Sequence, residues 1–388
     1  MKRFMTPARS ALLATLAVAV VLGACNRGRS SPSGAASASA QASHGALAAP
    51  SAHPALPSLP SAAPELPAST ERGRELYGRM CAVCHGANGE GYRADGAPTL
   101  SQPAYLASVS DDFLDFAIAI GRPRTTMAAW RTDQGGPLSA WDIKSVIAFL
   151  RTWQGPPVKL DEGYVHGDAV RGKALFVKEC ESCHGAKAKN VHILSRQWLT
   201  FAKTPFIRYA IANGRPSTPM KAFSASLGAD RIEEILGYMR SLPAWLAPGE
   251  VAGSIRPPPI PLGPVPLNPK GPAPVGFRPY PAMTPLSVIW RELQRHARIG
   301  ILDARTSSDY TTLHIEGAVS VPFYDPSPYL DDLPRREWLV CYCGCPHSES
   351  GALAQQLLNA GFTKVTVLDE GFGAWTAAGH PTRNGQTP

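Results

Sequence analysis

The sequence predicts a multidomain chain in which two all-α units are followed by one α/β unit built on a parallel sheet. Three observations lead there. A block with helical periodicity occurs twice, its landmarks about a hundred residues apart. The 38 prolines are concentrated in two stretches too poor in large apolar side chains to hold a core. After the second stretch, short apolar strands alternate with helices. A length of 388 residues, 44% apolar and 18% charged, suits two or three globular domains.

The repeated block is organised around Cys81-Ala82-Val83-Cys84-His85 and Cys180-Glu181-Ser182-Cys183-His184. Each is followed at a similar distance by a Gly-Arg-Pro segment ending in Met: Gly121 to Met127 and Gly214 to Met220. C-x-x-C-H is the attachment pattern of c-type haem. Two thiols add to the vinyl groups along one porphyrin edge, and the adjacent imidazole, His85 or His184, takes one axial position. Met127 and Met220 can take the other, and a His/Met pair leaves no open position for a substrate. One such motif alone could be a redox dithiol or half a zinc site; two copies in matching surroundings argue for haem. The match extends to Gly73-Arg74-Glu75-Leu76-Tyr77 against Gly172-Lys173-Ala174-Leu175-Phe176, and to the helical pattern from Ile143 to Arg151 against Ile232 to Arg240. This region resembles two class I cytochrome c domains, which implies two covalently bound haem c groups and an electron-transfer role.

In chain order, residues 1–24 carry basic Lys2, Arg3 and Arg9 and then an apolar run of about a dozen residues, too short for a stable span. This is an export signal. Leu22-Gly23-Ala24-Cys25 resembles the lipobox of bacterial lipoproteins, which implies acylation of Cys25 and a membrane tether through an N-terminal lipid; ordinary signal cleavage beside an unmodified Cys25 is the alternative. Asn26 after the cysteine suggests the outer membrane. Export places the protein in the periplasm or cell envelope, where c-type haem is attached in bacteria.

Residues 25–69 read as a disordered Ala/Ser/Pro tether, and 244–284 as a Pro-rich, polyproline-like linker. Between them lie cytochrome domains at 70–155 and 163–243; the α/β unit occupies 285–384. The net charge of +8 comes without a basic run interleaved with aromatics, and with export it excludes nucleic acid as a partner. It suits acidic redox partners.

In the first cytochrome domain Glu71–Met80 is the expected helix before the haem cysteines. Ser139 is the expected N-cap of a closing helix that runs to Trp153, with Ile143, Val146, Ile147 and Leu150 on its buried face. Met80 is the alternative axial ligand to Met127. Pro98 resembles the family's proline that supports the proximal histidine. In the second domain no copy of the Pro98 segment is evident, and His192 competes with Met220 as ligand. His44, His53 and His166 are expected at the surface.

In the α/β unit the expected strands are Ile299–Ala304, Trp338–Tyr342 and Val365–Leu368, with a helix over Ser350–Ala360. The landmarks Leu302-Asp303-Ala304-Arg305, His314-Ile315-Glu316-Gly317-Ala318, Val340-Cys341-Tyr342-Cys343, Gly371-Phe372-Gly373-Ala374-Trp375 and Gly379-His380-Pro381 resemble the rhodanese (sulfurtransferase) family. The resemblance places a nucleophile at Cys343, where a strand's carboxyl end meets a helix N-terminus and backbone amides favour a thiolate or persulfide. The usual loop has Gly and Arg after the cysteine. Here Gly344-Cys345-Pro346-His347-Ser348-Glu349-Ser350 lacks that arginine and is one residue longer, which puts thiosulfate:cyanide sulfurtransferase activity in doubt.

Cys345 is placed to attack a persulfide on Cys343 or to form a disulfide with it. His347 is a candidate base, with a solvent-facing loop residue as the alternative. Cys341, Cys343, Cys345 and His347 also have the composition of a copper or zinc site, although Cys341 reads more simply as buried strand core. Three functions follow: sulfur-compound chemistry at Cys343 coupled to two haems and a redox partner; a carrier whose rhodanese-like domain only binds a sulfur species or a partner; or a metal-binding module on a cytochrome.

Overall fold

The computed structural model describes residues 67–92, 97–122, 125–186, 188, 190–215, 218–244, 265–344 and 347–388. The export signal, Cys25, most of the tether, His44, His53, Cys345 and Pro346 lie outside the described residues.

The first helical domain contains α1 (Thr70–Leu76), α2 (Ala82–His85), α3 (Pro103–Ser108), α4 (Asp111–Ala119) and α5 (Ala140–Arg151). The helix expected over Glu71–Met80 is present and continues to His85, with a change of register on the way. After Leu76 it widens into a π-helical turn, Tyr77–Cys81, a local change of register of the kind found beside functional residues. Ser139 caps α5 in a reciprocal capping box with Asp142. Ile143, Val146, Ile147 and Leu150 are all buried, each contributing about 1.5–3 kcal/mol of apolar burial. α1 crosses α5 at Gly73, where a β-carbon would run into the carbonyl of Ser145. Only glycine permits this approach.

The second domain repeats the plan with α6 (Ala169–Glu179), α7 (Glu181–His184), α8 (Arg196–Phe201), α9 (Thr204–Asn213) and α10 (Ser224–Ser241), the last broken at Gly228. Gly172 serves where Gly73 does, against the carbonyl of Glu234. Arg151 donates to the carbonyls of Leu106 and Val109, and Arg240 donates to those of Leu199 and Ala202. These arginines satisfy the free C-terminal carbonyls of α3 and α8.

The two domains meet about a pseudo-two-fold axis. Phe113 and Phe206, matched positions on α4 and α9, face each other at 5.2 Å between ring centroids. The flanking pairs are also matched: Phe113 with Trp198 at 6.0 Å and Phe206 with Tyr105 at 6.2 Å.

The C-terminal unit comprises α11 (Leu286–Gln294), β1 (Ile299–Asp303), α12 (Ser307–Thr312), β2 (His314–Ile315), β3 (Ala318–Ser320), β4 (Trp338–Tyr342), α13 (Ser348–Asn359), β5 (Val365–Val367), α14 (Gly371–Ala377) and β6 (Thr382–Arg383). β3, β1, β4 and β5 form a parallel sheet in that order, and β2 pairs antiparallel with β6. Side chains alternate across it. Ile299, Ile301, Val340 and Tyr342 join the core with α11 and α14, whereas Leu302, Leu339, Cys341, Val365 and Val367 join the core with α13.

The expected linker is only partly a linker. Tyr280 and Thr284 donate backbone N–H groups to the carbonyls of Val365 and Val367, and Val265 is buried against Gly300. Residues 280–284 therefore line the β5 edge, whose unpaired carbonyls give an extended proline-rich segment something to bind.

The α13 side of the sheet continues into the first helical domain. Trp130 meets Phe323 and Tyr324 at 6.4 and 5.7 Å. Arg79, its side chain 5% exposed, donates through Nε to the Tyr324 carbonyl at 2.8 Å and stands 3.5 Å from Asp325. Ser308 donates to the Ala129 carbonyl at 3.1 Å, and α2 packs against α13.

Candidate functional site

His85 ends α2 and is buried, with Nδ1 3.0 Å from the carbonyl of Pro98. A carbonyl only accepts, so Nδ1 carries the proton and Nε2 keeps its lone pair. Burial also pushes the His85 pKa down, favouring the neutral ring that a metal requires. The Met127 loop is closed from both ends. Arg122 N–H donates to the Met127 carbonyl at 2.8 Å, and Met127 N–H donates to Thr125 Oγ1 at 3.2 Å.

The second domain repeats each bond. Arg215 N–H donates to the Met220 carbonyl at 2.9 Å, Met220 N–H donates to Thr218 Oγ1 at 3.2 Å, and His184 Nδ1 lies 3.0 Å from the carbonyl of Val191. Val191 thus fills the place of Pro98, which the sequence left without a counterpart. The function belongs to a backbone carbonyl, so no residue type marks it. His192 follows the residue whose carbonyl holds His184 Nδ1. Met80, the alternative in the first domain, is buried in the core beside Cys81. Cys81 and Cys84, and Cys180 and Cys183, stand in pairs on the turns that lead into His85 and His184. Paired thiols, an oriented imidazole and a braced methionine loop recur together, and they fit a covalently held haem c.

At the carboxyl end of β4, Cys343 is fully buried with Sγ 3.2 Å from Ser350 Oγ in the first turn of α13. Its carbonyl accepts from Phe372 N–H at 2.9 Å. Arg305 borders the loop, but its Nη2 is 2.6 Å from Asp303 and donates to the Leu313 carbonyl at 2.7 Å, and its guanidinium lies 4.2 Å from the Phe372 ring centroid. Asp303 also accepts from Tyr342 Oη at 2.6 Å. Buried and neutralised in this way, Arg305 does not replace the arginine missing from the loop.

His347 precedes α13 with Nε2 3.6 Å from Asp369 Oδ1, while Nδ1 is buried and has no hydrogen-bond partner among the described residues. It is half-buried rather than a solvent-facing loop residue. Ser350 and Asp369 escaped the sequence reading. A signal for Asp369 existed: it follows β5, and carboxyl ends of parallel strands collect at one edge. Cys341 lies in the apolar core, where burial pushes its thiol pKa up and opposes thiolate–metal binding. No group of three or more potential metal ligands occurs among the described residues.

The haem constellations and the Cys343 loop converge. Cys343 is followed by Gly344, Met127 is preceded by Thr126, and the Thr126 methyl stands 3.8 Å from where a side chain on Gly344 would begin. The helix carrying Cys84 and His85 packs on the helix whose first turn touches Cys343.

The chain is thus built of all-α cytochrome c domains joined to a C-terminal rhodanese-like α/β domain. Family models agree: cytochrome c matches residues 70–154, cytochrome c oxidase cbb3-type subunit III matches 167–239, and the rhodanese-like domain matches 288–378. A cbb3-type cytochrome c oxidase subunit FixP from Bradyrhizobium sp. is 29% identical over 44% of this chain and 60% of its own length. A cbb3-type subunit CcoP from Azospirillum sp. is 26% identical over 44% of this chain and 61% of its own. The chain therefore spans about 60% of the length of these curated relatives. A solution structure of a rhodanese-like domain from Anabaena sp. is 28% identical, covering 28% of this chain and 82% of that domain, with a TM-score of 0.26. No helix among the described residues is long and apolar enough to cross a membrane.

Proposed function

We propose that the chain is an exported, lipid-anchored dihaem electron carrier in which sulfur chemistry at Cys343 feeds electrons into the cytochrome domains. Cys81 and Cys84, with His85 and Met127, would hold one haem c; Cys180 and Cys183, with His184 and Met220, would hold the second. When bound, these haems supply two one-electron acceptors, the number that hydrosulfide must lose to become sulfane sulfur.

The residues around Cys343 then have defined tasks. The Cys343 thiolate and hydrosulfide join through a new S–S bond, giving a persulfide, one proton and two electrons. The S–H bond of hydrosulfide breaks and its proton passes to Nδ1 of His347, while Asp369 faces the other ring nitrogen. Ser350 and the first-turn amides of α13 hold the anionic sulfur. The Cys345 thiolate then attacks the outer sulfur: a new S–S bond forms on Cys345, the bond from Cys343 to that sulfur breaks, and Cys343 leaves as a thiolate.

The observation supporting this reading is the approach of Thr126, next to Met127, to Gly344, next to Cys343. The test is haem absorbance followed anaerobically while sulfide, thiosulfate and a small persulfide are added in turn. Sulfide should reduce the protein promptly, and Cys343→Ser should slow this at least ~100-fold. Equal reduction of the variant would leave a carrier whose rhodanese-like domain only binds a sulfur species or a partner.

A further inference from the structure

The pseudo-two-fold axis allows the outer faces of the two cytochrome domains to be compared position by position. In the first domain that face is covered. Arg79, Thr126, Ala129 and α2 all touch the rhodanese-like domain. In the second domain the matching positions are Lys178, Pro219, Ala222 and α7, and the side chains there are open to solvent. Lys178 is 77% exposed where Arg79 is buried, and Val177 is 49% exposed where the first domain has Gly78. Ala128 is buried, whereas its counterpart Lys221 is exposed. Glu181, Ser182 and Cys183 are exposed where Ala82, Val83 and Cys84 are half-buried.

Charge follows the same division. Residues 163–243 contain twelve Lys and Arg against six Asp and Glu; residues 70–155 contain nine of each. The domain that covers the first face is itself acidic, with eight Lys and Arg against eleven Asp and Glu over 285–384. The more basic domain thus presents a solvent-open face around Val177, where Lys178 stands 3.3 Å from Glu179 and Lys221 is exposed, without the acidic neighbour that its twin has.

We propose that this face of the second domain, centred on Val177 and rimmed by Lys178 and Lys221, docks an acidic one-electron carrier protein. The path is then polarised: the Cys343 side loads the first domain, and the partner meets the second. Docking requires no covalent step, only one electron passing across the contact, and it is independent of the sulfur chemistry at Cys343.

The experiment is a titration of the full-length haem-loaded protein with a small acidic blue-copper protein, and with a basic one of similar size as control, read as a dissociation constant by calorimetry. The acidic probe should bind and weaken by about tenfold or more between 50 and 200 mM salt. Lys178→Glu and Lys221→Glu should each weaken it by about three- to tenfold. Val177→Ser should also weaken it without changing the salt slope, and Lys144→Glu on the first domain should have no effect. All these positions are exposed, so haem content and circular dichroism should be unchanged. Equal binding by the Lys178→Glu, Lys221→Glu double variant, or equal binding of the basic probe, overturns the proposal. So does self-association of the protein that the same lysine changes abolish, since the occupant would then be a second copy.

Discussion

The methyl of Thr126 lies 3.8 Å from the position of a side chain on Gly344, although the two are 218 positions apart in sequence. Each is one residue from a reactive sulfur, Met127 in one case and Cys343 in the other. A positive charge introduced by Thr126→Lys should therefore favour the Cys343 thiolate. Its iodoacetamide alkylation should accelerate by up to about tenfold, one pKa unit of stabilisation. Pro219→Lys, at the matching position of the other domain, should leave the rate unchanged. Equal acceleration by both would mean that the contact is not transmitted to Cys343.

The matched methionine loops predict matched spectra. Met127→Ala and Met220→Ala should each remove about half of the sulfur-to-iron charge-transfer absorbance of the oxidised protein. His192→Ala should remove none, because the carbonyl beside it belongs to the hydrogen bond on His184 Nδ1. Loss of absorbance in the His192 variant together with its retention in the Met220 variant would reverse the assignment.

Much of this arrangement was legible in the sequence because it rests on spacing. C-x-x-C-H, the Gly-Arg-Pro segments and the helical stripe from Ile143 to Leu150 follow local rules, as does the strand Trp338–Tyr342. What stayed hidden depends on backbone or distance. Val191 acts through its carbonyl, which every residue possesses, and the π-helical turn at Tyr77–Cys81 has no residue signature. The ladder from Tyr280 and Thr284 to β5 is likewise made of peptide groups in a stretch whose composition reads as linker. The meeting of Arg79 with Tyr324 joins residues 245 positions apart, and a lone arginine on a helix gives no hint of it.

That junction can be weakened selectively. Arg79→Met keeps the apolar stem but leaves the Tyr324 carbonyl without this donor and Asp325 without its cation, at a cost of about 1.5–3 kcal/mol by chemical denaturation. The pH dependence has a definite sign. Burial holds the Asp325 carboxyl above its ordinary range and Arg79 partly offsets this, so removing Arg79 raises it further. A carboxyl whose folded pKa exceeds its unfolded value binds its proton more tightly in the folded state. The variant should therefore recover stability as the pH falls through the raised folded pKa towards about 3.9, and lose it as the pH rises back through that window. A deficit that stays constant throughout that range would place the effect elsewhere.

Reactivity at the rhodanese-like loop should divide by position. Cys341 lies in the sheet with its thiol pushed up by burial, whereas Cys343 ends the strand 3.2 Å from Ser350 Oγ, where the first-turn amides of α13 begin. Of these two, Cys343 has the hydroxyl and the helix N-terminus that favour a sulfur anion, and with Cys345 in the proposed resolving role it should alkylate first in the reduced protein. Ser350→Ala should slow that alkylation by about five- to tenfold, the loss of one hydrogen bond of ~1 kcal/mol or slightly more. Cys343→Ser should abolish persulfide formation altogether. Cys345→Ser should behave differently: mass spectrometry should find one added sulfur atom on Cys343 after a single turnover, followed by arrest, because the proposed resolving thiol is gone. Faster alkylation of Cys345 than of Cys343, or persulfide in the Cys343→Ser protein, would move the nucleophile to the neighbouring cysteine and leave Cys343 a structural residue.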